Sequence, residues 1–119
     1  AGFLDASAHR AGLPVFYNQY LRTAADPGYV ASREAEQMLL RPLFATAFLL
    51  DDFLAESGFF GATSVVLSSA SSKTAMGLAH CLSKRPSGRP GVVGLTSSGN
   101  ADFVRSLGCH DRVVAYEDV

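Results

Sequence analysis

The stretch SVVLSSASSKT, residues 64–74, decides the fold class of this 119-residue chain. It opens with Ser64-Val65-Val66-Leu67-Ser68, a β-branched apolar run that is typical of a strand buried on both faces. Small hydroxyl-bearing residues follow, and a helical pattern of apolar residues then continues through residues 75–82. A strand that passes through a short turn into a helix predicts the first βα unit of an α/β protein.

Two further strands are predicted downstream of this unit. A Pro- and Gly-rich loop, Arg85–Gly91, leads to the strand Val92–Thr96, and a short helix around Phe103–Leu107 leads to the strand Arg112–Tyr116. Strands that alternate with helices predict a parallel sheet joined by right-handed crossovers. The predicted fold is α/β: a Rossmann-like three-layer fragment over residues 62–119, with a short parallel sheet and flanking helices.

A long helix is predicted before the sheet, over residues 32–57. Ser32 is placed to cap it, and an apolar stripe recurs at three- and four-residue spacing. Pro42 is expected either to kink this helix or to open a second one. Asp51 and Asp52 are predicted on its solvated face. The stripe consists of Leu39, Leu43, Ala47, Leu50 and Leu54, broadened by Phe44 and Phe48.

The first 31 residues are predicted to be an irregular lead-in to a single domain. Within them, Val15–Leu21 fits either a short strand or a helical turn. The chain begins at Ala1 and has no apolar core of a signal peptide. We therefore expect a domain or fragment of a longer cytoplasmic protein, in which Cys81 and Cys109 are free thiols.

Composition excludes several classes of protein. Hydrophobic residues make up 48% of the chain and charged residues 18%, and the formal net charge is −1. This balance argues against a basic nucleic-acid binder and against a disordered chain. The longest apolar stretch, Met38–Leu50, is interrupted by Arg41 and Pro42, so no membrane span is expected.

The turn after the first strand is the main candidate binding site. Ligands of open parallel sheets bind at the carboxyl ends of the strands, and a helix N-terminus offers free N–H groups and a positive dipole to phosphate. The alternative is a serine-rich helix cap that binds no ligand. The candidate residues are Ser69, Ala70, Ser71, Ser72, Lys73 and Thr74.

The turn after the second strand is the second candidate, formed by Thr96, Ser97, Ser98 and Asn100. Sites for NAD usually carry an acidic residue here that binds the ribose 2′-hydroxyl. This turn is neutral and rich in hydroxyls, which favours NADP over NAD. The alternative is that Ser98 or Asn100 only caps the next helix.

These two turns carry a resemblance to a known superfamily. Residues 64–117 resemble the nucleotide-binding half of the medium-chain dehydrogenases/reductases, particularly the quinone oxidoreductase branch. The matching features are the turn Ser69–Lys73, the strand end Leu95–Ser98 and the segment Phe103–Cys109. Nearly the whole chain also resembles part of an uncharacterised family distantly related to those reductases. The segments that carry this closer match are residues 17–22, 40–44, 49–53 and 68–75.

The resemblance implies an NADP-binding part of a reductase that transfers hydride to a carbonyl or quinone. Ser69, Ser72 and Ala75 stand where those reductases have glycines, and a Ser forced to positive φ costs of order 1 kcal/mol. The substrate-shaping domain and the later strands have no counterpart here, so we expect the fragment alone to be inactive. The expected partners are the cofactor and either a second copy or the missing domains, with no nucleic acid and no membrane.

A different class of function also fits the sequence: a non-enzymatic interaction module whose glycine turn has become serine-rich. Lys73 discriminates between the two hypotheses, since an open cleft beside it favours the reductase and a filled or capped turn favours the module. No catalytic residue is identified. A phenol of Tyr17 or Tyr20 is a weaker candidate proton donor, and the pairs His80-Cys81 and Cys109-His110 lack the spacing of a zinc site.

Overall fold

The computed structural model describes residues 2–119 and shows a mixed α/β protein. The chain divides into two compact units, Ala1–Gln37 and Met38–Val119. The elements in chain order are β1 Gly2–Leu4, β2 Gln19–Leu21, α1 Glu34–Glu56, β3 Ser64–Leu67, α2 Lys73–Ser83, β4 Gly91–Thr96, α3 Ala101–Ser106 and β5 Arg112–Ala115.

The first unit contains a small antiparallel pair, whose first strand was not predicted within the irregular lead-in. Strand β1 pairs with β2 so that Phe3 lies opposite Tyr20, and the two rings stack with their centroids 5.2 Å apart. Residues 15–21 contain both of the predicted alternatives, since a turn of 3-10 helix at Val15–Asn18 leads directly into β2.

Helix α1 confirms the predicted long helix with shifted bounds. Ser32 does not cap it, because this residue lies within a preceding turn of 3-10 helix at Ala31–Arg33. A single helix runs through Pro42, so of the two alternatives, a kink or the start of a second helix, the second is ruled out. The helix ends at Glu56. Two residues later, Gly58 has a φ of +58°, a backbone conformation that glycine adopts at little energetic cost.

The buried stripe of α1 differs from the predicted one. Ala47 is fully buried as expected, but Leu39, Phe48 and Leu50 are exposed. Asp51, predicted on the solvated face, is only 8% exposed. The reason is a distant partner: the Arg85 guanidinium donates to both carboxylate oxygens of Asp51, at 2.9 and 2.8 Å. Among residues 2–119, no helix is both long enough and apolar enough to cross a membrane.

The second unit contains the predicted parallel sheet, in the order β3-β4-β5. Val65 lies opposite Val92 in the first pair, and Thr96 lies opposite Ala115 in the second. All three carboxyl ends therefore meet at one edge of the sheet. The third strand ends at Ala115, one residue earlier than predicted, which places Tyr116 in the segment that follows it.

The core lies on one face of this sheet. Successive side chains of a strand point to opposite faces, so Val65 and Leu67 share the face that Val66 does not. That face packs against α2 and against Ala47 of α1, whereas Val66 on the other face is 61% exposed. The buried cluster consists of Ala47, Leu67, Leu78, Ala79, Leu82 and Val92.

Candidate functional site

The turn after β3 places a strained residue at the edge of the sheet. Ser69 has a φ of +49°, in the left-handed region that L-residues other than Asn and Asp rarely adopt. Ser69 stands at one of the positions where the reductases that the sequence resembles have glycine. The strain costs about 1 kcal/mol, which contacts elsewhere in the turn must offset.

Backbone hydrogen bonds hold this turn against the neighbouring strand. The Ala70 amide donates to the Leu95 carbonyl at 3.0 Å, and the Ser72 amide donates to the Ser69 carbonyl at 2.7 Å. Ala70 is fully buried. Of the predicted site residues, Ala70 therefore packs the turn onto the sheet and offers no side-chain surface to a ligand.

The start of α2 combines a capped amide with two uncapped ones. The Ser72 hydroxyl accepts a hydrogen bond from the Ala75 amide at 3.3 Å, so Ser72 does serve as a helix cap. The Lys73 and Thr74 amides have no hydrogen-bond acceptor within residues 2–119. This end of α2 thus keeps donors that a phosphate oxygen can use.

Lys73 adds a positive charge to the same end of the helix. Its side chain is exposed, and across the described residues no carboxylate forms an ion pair with it. Its ammonium group is therefore available to an anionic ligand. A fixed positive charge next to unpaired helix amides is the arrangement that phosphate sites use.

The second predicted turn lies next to the first and is linked to it. The Asn100 amide nitrogen donates to the Ser97 hydroxyl at 3.1 Å and to the Ser71 hydroxyl at 3.4 Å. Asn100 makes no side-chain cap to α3, and Ser98 is exposed in the turn Ser98–Asn100. Asn100 thus occupies the N-cap position of α3, but its side chain links the two turns instead of bonding to the helix.

Thr96 does not share the exposure of the other residues in this turn. Its side chain is 1% exposed at the end of β4. A ligand that binds at the surface of the turn therefore does not reach it. The predicted residues that the structure brings together at the surface are Ser69, Ser71, Ser72, Lys73, Thr74, Ser97 and Asn100.

Tyr116 is the residue at this edge that the sequence analysis missed. Its hydroxyl accepts a hydrogen bond from the Ser69 amide at 2.8 Å. This bond lowers the pKa of the Tyr116 phenol, because the N–H donor favours the phenolate. The available signal was position, since Tyr116 directly follows the third parallel strand, at the edge where ligands of such sheets bind.

An ion pair lies at the end of the sheet opposite to the candidate site. Arg89 donates to both carboxylate oxygens of Asp111, at 2.6 and 2.8 Å, and Asp111 also accepts from the Val92 amide at 2.7 Å. These donors hold the pKa of Asp111 well below its usual range, with Arg89 contributing most. The pair fixes the segment before β5 against the start of β4.

The remaining candidates are the two Cys-His pairs, Tyr17 and Tyr20. Cys81 and Cys109 are free thiols, as predicted. No group of three or more His, Cys, Asp or Glu residues is placed to hold a metal ion in residues 2–119. Tyr17 and Tyr20 are exposed in the first unit, where Tyr20 stacks on Phe3.

Comparison with known proteins identifies a family for this chain. No curated protein and no solved structure matches the chain. One family does match, over residues 1–119, and its description is Protein of unknown function (DUF2855). Because the match covers the whole chain, the protein belongs to the DUF2855 family.

Proposed function

We propose that residues 62–119 form a Rossmann-like unit that binds NADP for a reductase related to the quinone oxidoreductases. The observation that carries the proposal is the convergence of three strand ends on one polar edge. Ser69 bonds to Tyr116, and Asn100 bonds to Ser71, so turns from three strands form one connected surface. Ligand sites of parallel sheets lie at this edge.

The donors at this edge suit a pyrophosphate. The Lys73 and Thr74 amides point from the start of α2 without a protein acceptor in the described chain, and the Lys73 ammonium adds charge. Phosphate oxygens accept from such amides and are favoured by the helix dipole. We assign the pyrophosphate to residues 69–74 and the adenosine end to Ser97, Ser98 and Asn100.

We propose NADP rather than NAD because the turn after β4 carries no negative charge. The turn after β4 contains no carboxylate, and Asp102, the next one along the chain, pairs with Arg105 at 2.8 Å. A 2′-phosphate therefore meets hydroxyl and amide donors rather than an unpaired negative charge. When bound, NADPH supplies the hydride for a carbonyl or quinone substrate.

The proposal is tested by titrating NADPH into the 119-residue chain and following the fluorescence of the cofactor. The chain has no Trp, so protein emission interferes little. We expect saturable binding that is weaker for NADH, and about tenfold weaker binding after Lys73→Ala, the loss expected for a hydrogen bond to a charged group. Lys84→Ala, at the other end of α2, is the matched control and leaves binding unchanged. Equal binding by both variants would contradict the assignment.

A second candidate, an interaction module, is favoured by the surface of α1. A helix with apolar residues around most of its circumference is normally covered by another element. Several large apolar side chains of α1 are exposed: Met38, Leu39, Phe44, Phe48, Leu49 and Phe53. Light scattering across a range of concentrations tests the expected self-association, and a monomer at every concentration would argue against it.

A further inference from the structure

His110 lies in the segment before β5 and packs against the middle of β4. A Cβ added to Gly94 would lie 2.7 Å from the His110 Cδ2 and 3.1 Å from its Nε2. The same point is 3.2 Å from the Ala70 Cβ. The imidazole and the Ala70 methyl group therefore both lie over Gly94, and only glycine at this position of β4 leaves room for the ring.

The two ring nitrogens of His110 are buried without hydrogen-bond partners, whereas the residue as a whole is half-buried. Neither Nδ1 nor Nε2 is accessible, and neither has a partner within residues 2–119. The neutral ring leaves one donor and one acceptor unsatisfied, whereas the protonated ring would leave two donors and a charge. Burial accordingly lowers the pKa of His110. The structure thus accommodates the neutral form better than the charged one.

Few charged groups act on this ring. Asp111, the next residue, raises the pKa of His110 but does not outweigh its burial, and its carboxylate is already bonded to Arg89 and the Val92 amide. Gly94 of β4, against which the ring packs, and Ala70 of the turn, which lies over the same glycine, carry no charge. Asp111 is therefore the described group that favours a proton on the ring, and its effect is smaller than that of burial.

Gly94 links His110 to the candidate binding turn, because the His110 ring and the Ala70 methyl group both lie over this glycine. Ala70 is fully buried, and its amide bond to Leu95 is the anchor of residues 69–74 on the sheet. We propose that the neutral His110 ring is a positioning residue that seats this turn, and that protonation of His110 releases the turn from the sheet. The consequence for ligand binding, weaker affinity below neutral pH, rests on the proposed function.

Amide hydrogen exchange of the free protein, measured by NMR between pH 7.5 and 5.5, tests the release. After correction for intrinsic rates, we expect exchange at Ala70 to accelerate with acidification. The acceleration can reach about tenfold for each unit by which the pKa of His110 lies below that of an exposed histidine. The imidazole signal of His110 in the same wild-type samples gives the midpoint directly.

Two variants separate the ring's charge from its bulk. His110→Phe keeps a planar ring without a titrating group, and we expect it to remove the pH dependence at Ala70. His80→Phe is the matched control, because His80 is exposed on α2, and it should leave the pH dependence intact.

Three results would overturn the proposal. They are pH-independent exchange at Ala70 in the wild type, acceleration whose midpoint differs from the His110 titration, and equal acceleration at Leu82 in the core, which would indicate global unfolding. If His110→Phe does not fold, agreement between the wild-type ring titration and the Ala70 exchange decides the matter alone. Neither readout contains a ligand, so failure of NADPH to bind would leave these outcomes unchanged.

Discussion

The Tyr116 hydroxyl accepts the Ser69 backbone amide at 2.8 Å, although the two residues are 47 positions apart in the chain. The bond ties the segment after β5 to the turn after β3, across the carboxyl edge of β4. A strained turn and the chain beyond the third strand are thereby held together by one phenol, itself 45% exposed.

Removing that hydroxyl should lower stability slightly. We expect Tyr116→Phe to reduce the free energy of unfolding by about 1 kcal/mol, the usual net value of one hydrogen bond. Urea unfolding measures the change. Tyr17→Phe provides the control, because Tyr17 is exposed and no hydrogen bond is formed by its hydroxyl in the described chain. Equal effects of the two substitutions would show that the Ser69 contact adds nothing.

Relieving the backbone strain at Ser69 should have the opposite effect. Ser69→Gly removes the Cβ that disfavours a φ of +49°, and we expect a gain of about 1 kcal/mol in the free energy of unfolding. Thermal unfolding provides the measurement. Ser69→Ala removes the hydroxyl but keeps the Cβ, so it should give no gain. Stabilisation by both substitutions would attribute the cost to the hydroxyl instead of the backbone.

The two adjacent aspartates of α1 should respond very differently to neutralisation. Asp51→Asn weakens the bidentate ion pair with Arg85 at a buried position. We expect it to lower the free energy of unfolding by about 2 kcal/mol. Asp52 is exposed, so Asp52→Asn should change stability by less than about 0.5 kcal/mol. Urea unfolding of both variants, with Arg85→Ala as a third, tests the assignment. Similar losses at both positions would refute it.

The Asp111 contact predicts an acid-sensitive contribution to stability. Because Arg89 and the Val92 amide lower the pKa of Asp111 in the folded state, its stabilisation is complete above the unfolded carboxyl pKa of about 4 and is lost as pH falls below it. The difference in unfolding free energy between wild type and Asp111→Asn should therefore shrink from pH 6 to pH 3. Asp102→Asn, which alters an exposed pair, should show little such change. A constant difference for Asp111→Asn would contradict the prediction.

Local pattern was sufficient to predict the sheet, because it determines each strand and helix separately. The valine-rich strands at residues 64–67 and 91–96 and the helix between them are encoded by neighbouring residues, and their alternation implies parallel pairing. The buried Asp51 was not predictable in this way, since its partner Arg85 lies 34 residues away, in a loop without periodicity.

The candidate site was likewise predictable only where local sequence determines it. The turn at residues 69–74 was identifiable from its position between strand and helix, and the glycine positions of related turns anticipated the strain at Ser69. Contacts across the sheet were not identifiable. Tyr116 reaches Ser69, and His110 and Ala70 both lie over Gly94, because parallel pairing brings the third strand beside the second. The position after the third strand marks Tyr116 as a residue of this edge, but its sequence neighbours do not indicate the bond to Ser69.

The central claim is that a dinucleotide binds at the carboxyl edge of β3, β4 and β5. The most direct test is a titration of the ¹⁵N-labelled 119-residue chain with NADPH, followed by amide chemical shifts. The account predicts saturable shifts concentrated at Ser71, Lys73, Thr74 and Ser98, with smaller ones under the same concentrations of NADH. Saturating NADPH that moves no amide of this edge, or moves only amides elsewhere in the chain, would contradict it.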